Sequence, residues 1–131
     1  MDILAQFDTV SSANTGAKLE LTDANGAAVL KADGTPLTIT LLGKDSDVWV
    51  KAENAARNRR LAQGPRMKLT AEALESEAIA ALAKVTTAWD FDEPCTYEAA
   101  VRLYTRYPLI REQVDVFVGD RANFTKASPT S

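Results

Sequence analysis

Between Leu103 and Phe124 the large apolar residues Leu103, Tyr107, Ile110, Val114, Phe117 and Phe124 recur three or four positions apart, with one gap at Arg121. That period is helical, and a helix carrying such a stripe must bury it against another apolar layer. The rest of the chain therefore has to supply that layer. Pro108 can open the helix, because its fixed φ and missing N–H suit a first turn. The opposite side carries Arg111, Glu112, Asp115, Asp120 and Arg121, with Arg111 and Asp115 spaced as an i,i+4 pair. Gly119 is costly inside a helix, so either the helix loosens there or another backbone approaches closely.

A partner layer is readable upstream. Ala17–Thr22 alternates apolar and polar, the pattern of a half-buried strand, and Asp23-Ala24-Asn25-Gly26 is turn chemistry. Val29-Leu30-Lys31 reads as a short second strand, Asp33-Gly34 as a second turn, and Leu37–Leu42 as a third strand after Pro36. The expectation is an α+β fold: a three-stranded antiparallel meander over residues 17–43, packed against about four helices within 44–124. Residues 1–16 read as a flexible arm, with Ile3, Phe7 and Val10 at helical spacing and Gly16 as a stop. Residues 125–131 read as a disordered tail.

Within the helical part, Asp45-Ser46-Asp47 caps a helix running to about Ala62, before Gln63-Gly64-Pro65. Val48, Ala52, Ala55 and Arg59 are its expected inward stripe, covering the sheet, with Trp49 beside it. Thr70 caps an alanine-rich helix whose apolar face reads Leu74, Ala78, Ala81, Val85 and Trp89. Asp90–Pro94 is a loop, and Thr96 caps a helix over Tyr97–Arg106. With 131 residues and no linker or repeat, the chain reads as a single domain, 1–131.

Chemistry is bounded mainly by what is missing. The chain has no histidine and one cysteine, Cys95. The commonest general base and metal ligand are therefore absent, and no internal disulfide is possible. Asp90, Asp92 and Glu93 cluster without the ligand series of a calcium loop, so a helix-capping loop is the better reading. There is no phosphate loop, nucleophile elbow or Cys/His metal spacing. The expectation is a non-catalytic protein with no metal or cofactor. A net charge of −3 argues against general nucleic-acid binding, and no apolar run is long enough to span a membrane. Arg57, Arg59 and Arg60, with Arg66 and Lys68 nearby, form the one basic patch. It suits an acidic partner, a phosphate backbone, or simply a solvated helix end. Trp49 beside these arginines has the composition of a binding hot spot. Trp49, Arg57, Arg59, Arg60, Phe7 and Val10 are therefore the candidate partner-binding residues, toward a second copy or a helical protein.

The wording Pro108-Leu109-Ile110-Arg111-Glu112-Gln113-Val114-Asp115, followed by Gly119-Asp120-Arg121-Ala122-Asn123-Phe124, resembles the C-terminal signature of tail assembly chaperones of long-tailed bacteriophages. The resemblance is weaker over Thr35–Arg60, and residues 1–30 carry little of it. It implies a protein of the bacterial host cytoplasm that associates with the phage tape measure protein. Such a protein keeps the tape measure soluble, recruits tail-tube subunits and is absent from the finished particle. A minor structural component of the tail or neck is the alternative, and a nucleic-acid-binding module using the arginine patch a weaker one.

Overall fold

The computed structural model describes residues 3–64 and 69–125. In chain order it contains a 3-10 turn at Ile3–Phe7, α1 (Thr9–Thr15), β1 (Ala17–Glu20), β2 (Thr38–Leu41), α2 (Asp47–Gln63), α3 (Ala71–Lys84), β3 (Thr86–Trp89), α4 (Tyr97–Arg106), α5 (Pro108–Gly119) and α6 (Ala122–Thr125). The fold is α+β, with one three-stranded antiparallel sheet in the order β1-β2-β3. Helices α2 to α5 each run ten residues or more. Of the expected tail at 125–131, Thr125 instead ends α6, and residues 126–131, along with Pro65, Arg66 and Lys68, lie outside the described residues.

The third strand is not where the alternation placed it. β1 and β2 pair directly, Ala17 opposite Leu41 and Glu20 opposite Thr38, so no room is left between them for Val29–Lys31. That segment instead closes the open end of the pair. The Leu21 N–H donates to the Leu37 carbonyl, Val29 to Leu21, and Leu37 to Val29. The real third strand, β3, lies in the part expected to be wholly helical. Val85, Thr86 and Thr87 follow Lys84 as a β-branched run, which favours pleated backbone and ends the alanine-rich helix. Trp89 therefore belongs to the sheet, opposite Ile39, and not to the face of α3.

The core lies between the central strand and three helices. Ile39 and Leu41 of β2 are fully enclosed by Ile79, Leu82 and Ala83 of α3, Val85, Ala100 and Tyr104 of α4, and Val114 and Val118 of α5. Each of the buried valines, leucines and isoleucines contributes about 1.5–3 kcal/mol by leaving water. One expected stripe is shifted in phase and another is broken. On α3 the buried positions are Ile79, Leu82 and Ala83, while Leu74 and Ala78 are exposed. The final stripe does not form one helix: α5 ends at Gly119, and Phe124 sits on α6. Nothing packs within 4 Å of where a Gly119 side chain would be, so the loosening option holds there. Phe124 folds back to meet Phe117 edge-on, ring centroids 5.4 Å apart. Arg111 pairs with Glu75 of α3 at 3.0 Å and donates to the Tyr104 carbonyl, and not with Asp115.

Helix α2 also departs from expectation. Ser46 caps it as expected, accepting the Trp49 N–H at 3.2 Å. It packs mainly against α3, and to a lesser extent α1, rather than lying across the sheet. Trp49 is the residue that packs against the core, while Val48 and Arg59 are exposed. The reason is the spacing of small residues: Trp49, Ala52 and Ala56 share the face that can approach the alanines of α3. In the expected N-terminal arm, α1 packs against α6 and the start of α2, and the Ala13 carbonyl accepts the Gly43 N–H at 3.0 Å.

Candidate functional site

The arginines and Trp49 come together in a cleft between α2 and α3. Trp49, Ala52 and Ala56 line one wall, Leu74, Ala78 and Ala81 the other, and Arg57, Arg59 and Arg60 its far end. The geometry follows from the two helix faces: alanines let the backbones approach, and the long side chains project from the rim. Arg60 is already engaged, its guanidinium donating to Glu77 of α3, with its Nε buried and unpartnered among the described residues. Arg57 donates to the Asn54 side chain at 3.0 Å, and Arg59 is exposed. Arg57 and Arg59 are therefore open to solvent beside a cleft whose alanines, Trp49 and Leu74 are interspersed with Glu53, Glu77, Lys84 and Asp115.

Phe7 and Val10 do not join them. They are 74% and 47% exposed, outside the cleft. The segment that carries them meets α2 at its beginning, where Asn14 accepts the Asp47 N–H at 2.8 Å. Ten residues of helix, about 15 Å, separate Asp47 from Arg57. The six candidate residues thus occupy two surfaces.

The carboxylate loop is structural. Asp90 accepts the Thr38 N–H at 2.8 Å and its hydroxyl at 2.9 Å, and these bonds hold its carboxyl below the usual carboxylate range. It also faces Lys31 at 3.7 Å. Glu93 pairs with Arg102 at 3.7 Å, and its carbonyl accepts the Trp89 indole N–H. Among the described residues no group of His, Cys, Asp or Glu is arranged to hold a metal ion. Cys95 is half-buried, and burial pushes its thiol up, away from the reactive thiolate. Tyr104, the largest enclosed side chain, is pushed up to about 12 by burial. Its hydroxyl lies 2.6 Å from Thr86 Oγ1, which in turn donates to the Leu82 carbonyl. That leaves Tyr104 as the donor in a closed chain, with no group free for chemistry.

One surface escaped the sequence reading. Leu109 and Val116 of α5 point away from the core and, with Leu19 of β1 and Phe117, form an apolar groove. The available signal was their seven-residue spacing, two helical turns, on a face set apart from Val114 and Val118. Among the described residues no helix is long and apolar enough to cross a membrane. Compared with family models, curated proteins and solved structures, the chain matches none.

Proposed function

We propose that this protein is a tail assembly chaperone of a long-tailed bacteriophage. It is a non-catalytic binding domain that associates with the tape measure protein and helps recruit tail-tube subunits around it. The observation that carries the reading is the wording of Pro108–Phe124, which makes up α5 and α6. In the fold this segment does two things at once: Val114 and Val118 complete the core, while Leu109 and Val116 stay open to solvent. A chaperone for a long helical protein needs such surfaces, because it must cover apolar stripes that would otherwise aggregate. The α2–α3 cleft, with Trp49 and alanines on its walls and Arg57 and Arg59 at its rim, is a second surface that could take part.

The test is co-expression with the tape measure and tail-tube proteins of the same phage. Co-purification with the tape measure, and absence of the chain from purified particles, supports the chaperone. Its presence in particles at fixed stoichiometry makes it a minor structural component of the tail or neck instead. Binding to nucleic acid that falls steeply with salt would select the arginine-patch reading.

A further inference from the structure

The groove between α5 and β1 has a composition that specifies what fits it. Its floor is Leu109, Val116 and Phe117 of α5 with Leu19 of β1. Val116 is 72% exposed and Leu109 42%. Single exposed aliphatic residues are ordinary, but these are contiguous with half-buried neighbours and lie two turns apart, about 10 Å along the helix. Every charged residue at its rim is acidic: Glu20, Glu112 and Asp120 line it beside the neutral Thr22, Gln113 and Asn123, and no lysine or arginine does. Among the described residues none of these three carboxylates forms an ion pair. That contrasts with the α2–α3 cleft, where Glu77 is paired with Arg60. The groove is also held in shape. Gln113 clamps the chain just beyond β1, donating to the Thr22 carbonyl and accepting the Thr22 N–H, both at 2.9 Å. A fixed wall lowers the ordering cost of binding.

We propose that the α5–β1 groove is the docking site for an amphipathic helix of another protein, one whose apolar stripe is flanked by lysine or arginine. Two turns of such a helix lay aliphatic residues over Leu109 and Val116, while its cations meet Glu20, Glu112 and Asp120. This deepens the chaperone reading by naming the kind of segment its helical partner offers, and rests on that reading only for which protein carries the segment.

The probe is a 14-residue helical peptide, its length set to about four turns, with leucines three and four apart and lysines elsewhere. A second peptide carries glutamate in place of every lysine. Binding to the full chain is followed by fluorescence anisotropy. The lysine peptide should bind and weaken with added salt, and the glutamate peptide should not bind. Val116→Glu and Glu112→Lys should each lower affinity at least about tenfold with the melting temperature unchanged, whereas Leu61→Glu on α2 should leave binding intact. Equal binding of both peptides, or loss with Leu61→Glu alone, overturns the proposal. Self-association in sedimentation that Val116→Glu abolishes also overturns it, by making a second copy the occupant. A pull-down separates the two claims. If the parent and Val116→Glu both capture the tape measure, the groove is wrong and the chaperone reading stands. If the peptide maps to the groove but the parent captures no tape measure, the groove stands and the chaperone reading fails.

Discussion

Helix α4 has ten residues and buries Ala99, Ala100 and Tyr104, whereas α2 has seventeen and buries none. Their local chemistry is nearly the same. Each has a hydroxyl N-cap, Ser46 or Thr96, an acid in the first turn and an arginine in the last. Capping and propensity therefore form both helices, but they do not decide how firmly each is joined to the fold. Burial decides that. α4 contributes a fully buried aromatic ring to the core, its hydroxyl bonded to Thr86 of β3, while α2 is attached through half-buried Trp49, its alanines and the Arg60–Glu77 pair. An element held this way opens at lower free energy than the core, which suits a surface that exchanges partners.

The sharpest way to break this contrast is at Tyr104. Tyr104→Ala should destabilise by about 3–5 kcal/mol in urea melts, the range for a large enclosed aromatic. Tyr104→Phe should cost about 1 kcal/mol, because only the hydroxyl bond to Thr86 is lost. The hydroxyl adds a pH signature. Its folded value is raised from 10 to about 12. Its contribution is therefore complete below pH 10 and lost as pH rises toward 12, a loss that Tyr104→Phe should remove. A cost below about 1 kcal/mol for Tyr104→Ala would mean that the core is not centred on α4.

Trp49→Ala is the matching test on α2, with an expected cost of about 2 kcal/mol for a half-buried ring. Hydrogen exchange should accelerate along α2 far more than along α4. Uniform acceleration would show that α2 is an integral part of the core. Gly43→Ala should follow at about 1–2 kcal/mol. A methyl there would lie 2.9 Å from Ala13 Cβ and 3.1 Å from the Phe124 ring, where α1 and α6 meet the chain entering α2.

The same contrast explains what the sequence could say. Caps were legible residue by residue: Ser46, Thr70 and Thr96 each accept the expected backbone N–H. So were Pro108 as a helix start and the pairing region of β1 and β2. These are local effects, decided within four or five residues. What was not legible depends on distant partners. The phase of α3 is set by β2 and α4, and its apolar period runs on into Trp89 by coincidence, hiding β3. The inward face of α2 was misplaced because several of its faces carry alanine or valine, and only α3 selects among them. The candidate site divided for the same reason. Trp49 and the arginines share one helix, so their grouping follows from helical spacing, whereas Phe7 and Val10 were joined to them without any contact to require it.

The smallest expected effect lies where α2 begins. Asp45 accepts from both nitrogens of the Arg121 guanidinium that face it, the Nη2 bond at 2.9 Å, and from Thr9. These bonds hold its carboxyl at about 2, below the ordinary 3.8. A lowered folded value means the contribution is complete above pH 3.8 and disappears as pH falls toward 2. The pair joins the entrance of α2 to the turn between α5 and α6, so it ties the loosely held helix to α5, which buries Val114 and Val118 in the core. Because Arg121 is 56% exposed, water and salt screen the attraction, and Asp45→Asn should cost under about 1 kcal/mol at neutral pH. The difference between parent and variant should fall steadily as pH drops from 3.8 through about 2, and diminish with salt at pH 7. A difference that persists unchanged at pH 2 would show that Asp45 acts by packing and hydrogen bonding alone. The link between the two regions would then be steric, and α2 would be no easier to release in acid than at neutral pH.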